Sequence, residues 1–131
     1  MDIKRYCFSF VAVFAFIFLS DYLCHEFLLA EMYEKTRELW RAKDEHIMIF
    51  IWLEELGFAA VMAFIFTRHY EDKGVMEGLR YGLYIGLLLA ALNFGTYGYM
   101  PIPLVLTFSW MAISIVNGLV AGLILALVYR E

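Results

Sequence analysis

The stretch Tyr81–Tyr129, YGLYIGLLLAALNFGTYGYMPIPLVLTFSWMAISIVNGLVAGLILALVY, runs for 49 residues without a charged side chain. A helix needs only about 20 apolar residues to cross some 30 Å of hydrocarbon, so this run holds two crossings. It divides at Phe94-Gly95-Thr96-Tyr97-Gly98-Tyr99-Met100-Pro101-Ile102-Pro103, where glycines and prolines form turns and the second proline suits the start of a helix. A third span then covers about 79–99 and a fourth about 104–129. Toward the N-terminus, a first apolar segment at about 6–30 is interrupted by Asp21, His25 and Glu26, and a second at about 47–67 carries Glu54 and Glu55. Lipid offers no hydrogen bonds to the backbone, so each crossing must be helical. The expected class is an all-α integral membrane protein with four transmembrane helices. Residues 1–131 are expected to form a single four-helix transmembrane domain, with a polar interfacial segment at 31–46.

Composition agrees with membrane residence. Hydrophobic residues make up 63% of the 131 and charged residues only 18%, whereas soluble domains are roughly half apolar and about a quarter charged. Fourteen acids outweigh ten Lys and Arg for a net charge of −4. With no basic block to neutralise phosphates, nucleic acid is excluded as a partner. Cys7 and Cys24 lie in the first segment, about 25 Å apart on a helix and too far for an internal disulfide. Met1-Asp2-Ile3-Lys4-Arg5 resembles the start of a signal peptide, but no cleavage site followed by a polar mature region appears, so the first segment is expected to be a retained span.

Basic residues near span ends set orientation. With the N-terminus in the cytoplasm, the inner side holds Lys4, Arg5, Arg68, Lys73, Arg80 and Arg130 and the outer side Lys35, Arg37, Arg41 and Lys43, six against four. Both termini are therefore expected in the cytoplasm. Between Glu31 and His46, Met32, Tyr33, Thr36, Leu39 and Trp40 fall along one helical side. The segment either lies at the interface with Trp40 as its anchor or extends the first helix beyond the bilayer.

Small residues recur every four positions, at Gly74, Gly78, Gly82, Gly86 and Ala90 in the third span and at Ser114, Gly118, Gly122 and Ala126 in the fourth. Such GxxxG seams let backbones approach closely, and in lipid packing decides association. The third and fourth helices are expected to form a tight Gly-rich antiparallel hairpin, or one seam to meet another subunit of a homo-oligomer.

Ionisable residues inside spans cost at least about 2.5 kcal/mol each at the centre and mark pathways or sites. Measured from the side of the 31–46 loop, Asp21 lies about 14 Å deep, His25 about 8 Å, and Glu54 and Glu55 about 11 Å. Asn93 and Ser109 fall at a similar depth. Asp21 and His25, at i and i+4, share a helix face. Adjacent Glu54 and Glu55 differ by about 100° around their helix, so one should be interior, with Glu54 favoured. Three uses fit this layer: proton or cation handling by Asp21, His25, Glu54, Glu55 and Asn93; a metal site of Asp21, His25 and Glu54 or Glu55; or interhelical hydrogen bonding with no ligand.

Other motifs fail. His25-Glu26-Phe27-Leu28-Leu29 has Leu29 where the zinc-protease pattern H-E-x-x-H needs its second histidine. For a haem, His25 and His46 would be the only axial pair on one side. His46 and His69 read as interfacial residues, Asn93 and Asn117 as cross-helix hydrogen bonders, and Tyr97, Tyr99, Trp40 and Trp52 as an aromatic belt by default or else the wall of an upper-leaflet cavity.

The pattern Asp21-Tyr22-x-x-His25-x-x-Leu28-Leu29-x-x-x-Tyr33-x-x-Thr36-x-x-Leu39-Trp40-Arg41, followed by Glu77-Gly78-Leu79-Arg80-Tyr81-Gly82, resembles a group of small uncharacterised bacterial four-span membrane proteins. That group has glycine where Glu26 stands and proline where Ala42 stands. The resemblance implies four spans and a bacterial membrane, and transfers no catalytic role or cofactor. The leading expectation is a small oligomeric inner-membrane protein that handles a proton, cation or small polar ligand. A non-catalytic accessory or assembly subunit of a membrane complex is the alternative, and a metal-dependent membrane enzyme the third.

Overall fold

The structure is a computed structural model that describes residues 1–130. Among these it is helical, with no strand, and four helices are long and apolar enough to cross a membrane. Helix α1 covers Ile3–Leu23 and continues through a π-helical turn at Cys24–Leu28; α2 covers Ala30–Lys35, α3 Met48–Arg68, α4 Val75–Thr96 and α5 Leu104–Tyr129. Single 3₁₀ turns at Arg37–Leu39 and Lys43–Glu45 complete the loop between α2 and α3. The protein is thus a multi-pass membrane protein in a lipid environment.

Helix ends follow local chemistry. Asp2 caps α1 by accepting from the Arg5 amide at 3.1 Å, and Pro103 occupies the N-cap position of α5. The third span begins four residues before the expected 79, because Gly74 with φ +73° turns the chain into α4. The Glu77 carboxylate then accepts the Glu71 and Lys73 amides at 2.8 Å each. That left-handed backbone is one glycine adopts readily. Gly74 therefore serves the turn and not the seam: a side chain there would meet nothing within 4 Å.

Helix α1 packs against α3 and α5, and α4 packs along α5. Gly78, Gly82, Gly86 and Ala90 are buried on α4. A Cβ on Gly82 would run into the Gly118 carbonyl, and one on Gly86 would lie 2.8 Å from the Ile115 Cα. The backbones touch directly, which side chains at these positions would prevent. On α3 the buried line is Glu55, Ala59, Met62, Ala63, Phe66 and Thr67, one side of the helix. It meets Val13 and Ile17 of α1, together with Ala121 and Leu125 of α5, in the main apolar core.

The two ends of the bundle differ. At the end carrying the termini, the Asp2 amide donates to the Tyr129 hydroxyl at 3.1 Å and the Tyr81 hydroxyl donates to the Met62 carbonyl at 2.8 Å, joining α4 to α3. At the other end, residues 47–54 are exposed on every side of α3. There a second apolar cluster forms, in which Leu29, Ile102 and Leu106 are buried beneath Tyr33, Trp40 and Trp110.

Residues 31–46 do not form one continuous amphipathic helix; the first helix extends through the π turn and α2 as far as Lys35, in line with the second of the two expectations. Helix α2 stops at Lys35, the Thr36 hydroxyl bonds back to the Met32 carbonyl at 2.9 Å, and the Trp40 indole donates to that hydroxyl at 2.9 Å. The chain folds back over α5, and Trp40 meets Tyr33 and Trp110 edge-on at 5.6 and 6.1 Å between ring centroids. Trp40 is therefore an internal packing residue. Trp52, Tyr97 and Tyr99 remain on the outer surface.

Candidate functional site

Where α3 and α4 diverge, a cavity of about 410 Å³ opens between them, backed by α1 and α5. Asp21 and His25 come from α1 and its π turn, Glu54 and Glu55 from α3, Asn93 from α4 and Asn117 from α5. Of the six residues expected at one depth, Asp21, His25, Glu54, Glu55 and Asn93 line this one cavity and Ser109 does not. A second, larger recess of about 910 Å³ lies under the 31–46 loop, walled by Arg37, Arg41, Lys43 and His46 as well as Glu26 and Glu38. Asp21, His25, Tyr33 and Glu55 line both spaces. They form the polar partition between the bundle cavity and the loop vestibule.

The two adjacent glutamates have unequal positions, and the inward one is Glu55, not the expected Glu54. Glu55 is 5% exposed, whereas Glu54 is exposed. The cause is the packing line of α3: Ala59 and Ala63 follow Glu55 at four-residue steps and bring that side against α1 and α5. One oxygen of Glu55, Oε2, is buried with no hydrogen-bond partner. A buried polar group left unpaired costs about 1–3 kcal/mol, and more if charged.

Asp21 does not pair with His25. Its carboxylate accepts from the Asn117 amide at 3.1 Å, and the Asn117 carbonyl oxygen accepts from the Ser20 hydroxyl at 2.7 Å. His25 turns to Tyr33 instead, with Nδ1 2.6 Å from the phenol oxygen. The Trp110 indole donates to that same oxygen at 2.7 Å. An indole N–H only donates, so the Tyr33 oxygen accepts from Trp110 and is also hydrogen-bonded to His25 Nδ1. Burial pushes the Tyr33 phenol up to about 12, outweighing the Trp110 hydrogen bond that acts the other way. Tyr33 therefore remains a proton donor across the physiological range.

The π turn at His25 is visible in the 2.8 Å bond from the Leu29 amide to the Cys24 carbonyl, five residues back. π turns inside α-helices occur frequently at functional sites. Here the turn joins α1 to α2 so that His25 and Tyr33, eight residues apart, touch.

Asn93 reaches the Ser114 hydroxyl at 2.9 Å and contributes to the cavity wall opposite α3. Ser109, expected at the same depth, instead bonds the Val105 carbonyl of its own helix at 2.8 Å. The cavity side of α5 is Trp110, Ile113, Ser114, Asn117 and Gly118, steps of 3, 1, 3 and 1 that keep to one face and leave Ser109 out of it. Tyr33, Trp110, Ser114 and Asn117 are thus site residues that depth alone does not single out. The regular spacing of the α5 face was the available signal for three of them.

Among the described residues, no three His, Cys, Asp or Glu side chains form a group able to hold a metal ion. Asp21, His25 and Glu54 share the cavity without converging as a ligand set. His46 lines the vestibule near the Arg41 carbonyl, and His69 lies by the Ile65 carbonyl of α3, outside both spaces. No protein-family model, no curated protein and no solved structure matches this chain.

Proposed function

We propose that this membrane protein binds a proton, cation or small polar ligand at an intramembrane site built around Asp21, His25, Glu54, Glu55 and Asn93, and passes it between the cavity and the vestibule. The location we assign is a bacterial inner membrane, with both termini in the cytoplasm. The observation that carries this reading is Glu55, 5% exposed with an unpartnered carboxyl oxygen on the wall of a cavity of about 410 Å³. An isolated carboxylate in so apolar a setting is costly, and a proton or cation offsets the cost. The cavity lining holds three carboxylates and neither Lys nor Arg, which favours positive ligands over anions. That four residues border both spaces supports a continuous route to the loop side.

A second reading has its own support. Asn117 ties Ser20 and Asp21 across two helices, as interhelical glue would, and the exposed apolar turn of α3 at Ile49–Leu53 offers a face to a partner membrane subunit or a second copy. In that case the protein is a non-catalytic accessory or assembly subunit.

Tryptophan emission separates the two, because Trp110 and Trp40 both contact Tyr33, which touches His25. Purified protein in lipid nanodiscs is titrated with acid, ammonium and potassium. The expected result is a saturable change for at least one of them that Glu55→Gln and Asp21→Asn each abolish while the protein stays folded by circular dichroism. Variants that lower thermal stability but leave every titration as in the parent protein support the accessory reading and overturn the proposal.

A further inference from the structure

We infer that the ligand of this cavity is an organic ammonium ion, held by Glu55 and Asp21 with its apolar part along the α4 and α5 walls. The inference rests on the cation reading above and narrows it. Size argues against a bare ion. A single water occupies about 30 Å³, so about 410 Å³ is room for roughly a dozen, and it lies in the range of small-molecule sites. Hard metal cations need several oxygen ligands at about 2.0–2.6 Å, and no three candidate side chains among the described residues come together that way.

The wall chemistry suits an amphiphilic cation. One side presents Asp21, Glu54 and Glu55, while Ile17, Phe58, Leu89, Leu92 and Ile113 make the remainder largely apolar. Tyr33 and Trp110 add aromatic surface beside the acids. An ammonium group is attracted both to carboxylates and to aromatic faces, the latter most strongly when desolvated. The Glu55 carboxylate, a lining group whose Oε2 is buried without a hydrogen-bond partner, supplies the countercharge. Asp21 is already oriented by Asn117 and keeps a second oxygen for a ligand. A neutral or anionic molecule of the same shape would leave Glu55 unpaired.

The test uses benzyltrimethylammonium and its uncharged carbon isostere neopentylbenzene, with binding to the full chain in detergent measured by isothermal titration calorimetry. The expected result is saturable binding of the cation, at least about tenfold tighter than the isostere and weakened about tenfold or more in Glu55→Gln. Should Glu55→Gln fail to fold, Asp21→Asn provides the second variant, with the same direction expected. Equal affinity for the cation and the isostere, or a cation affinity unchanged in the folded variants, overturns the inference. If benzyltrimethylammonium does not bind while protons, ammonium or potassium still act through Glu55 in the emission titration, the organic ligand is wrong and the cation reading stands. If none of them acts through Glu55, both fall.

Discussion

Asn117 of α5 donates its side-chain amide to the Asp21 carboxylate of α1 at 3.1 Å, across 96 positions of sequence. Its carbonyl oxygen is simultaneously occupied by Ser20 at 2.7 Å. With both ends used, the amide cannot rotate without losing a bond, and the Asp21 carboxylate is fixed at the cavity wall. Interhelical polar contacts in membranes average about 0.6 kcal/mol and reach about 1.7, so this pair is a modest stabiliser and a strict positioner.

Replacing Asn117 tests which role dominates. Asn117→Ala is expected to lower stability by about 1 kcal/mol, read as a lower unfolding midpoint in detergent, and to weaken the cation response of the emission assay. Loss of stability with an unchanged cation response would make Asn117 a packing residue only.

Tyr33 joins the two halves of the site, accepting from Trp110 and sharing a hydrogen bond with His25. Its phenol is pushed up to about 12 by burial, against about 10 in an unfolded chain. Between those values the unfolded state has lost a proton that the folded state retains, so stability falls as pH rises. The contribution is fully present below about pH 10 and is lost as pH passes about 12. Unfolding midpoints from pH 9 to 12 are expected to fall more steeply for the parent protein than for Tyr33→Phe. Parallel slopes would contradict the burial assigned to this phenol.

The glycines of the spanning helices divide into two kinds. A Cβ on Gly118 would lie 2.8 Å from the Gly86 amide nitrogen, while one on Gly57 would meet nothing within 4 Å. Overpacking a close contact costs about 1–3 kcal/mol, whereas glycine to alanine inside a helix without a clash gains roughly 0.5–1 kcal/mol. Gly118→Ala is expected to lower the unfolding midpoint and Gly57→Ala to hold or raise it. Equal effects from the two substitutions would show that backbone contact between α4 and α5 does not limit stability.

The four spans were legible because hydropathy and the lipid requirement for helices leave few alternatives. The seam positions Gly78, Gly82 and Gly86 were legible from spacing, but Gly74 belongs to the same numerical series and is a turn residue, since spacing carries no information on φ. Of the residues grouped by depth, Asp21, His25, Glu54, Glu55 and Asn93 line one space and Ser109 does not. Depth could not choose between Glu54 and Glu55, a choice that Ala59 and Ala63 carry through the face they share with Glu55. The His25–Tyr33 contact was hidden, because it depends on a π turn that no residue type announces. For Trp40 the sequence left a belt position and a cavity wall both open, because its apolar neighbours are equally suited to lipid and to the top of α5; it lines the loop vestibule.

Orientation remains a matter of charge, and the fold makes it testable with two labels. The Asp2 amide bonds Tyr129, and Tyr70 meets Tyr129 at 5.2 Å between ring centroids, so both termini and the α3–α4 connection share one end. Lys73 lies in that connection, paired with Glu71, and Lys43 lies in the loop at the opposite end, 3.0 Å from Glu26. Both lysine side chains are largely exposed, at 60% and 80%, so cysteines there should be accessible to a membrane-impermeant maleimide. Cys7 and Cys24 are unpaired and are replaced by serine first. With six basic residues against four favouring the terminal end for the cytoplasm, Lys43→Cys is expected to react in intact cells and Lys73→Cys only after lysis. The reverse pattern would invert the protein and put the loop vestibule on the cytoplasmic side. Labelling of both sites in intact cells would mean a mixed topology, which a margin of two charges would then have failed to prevent.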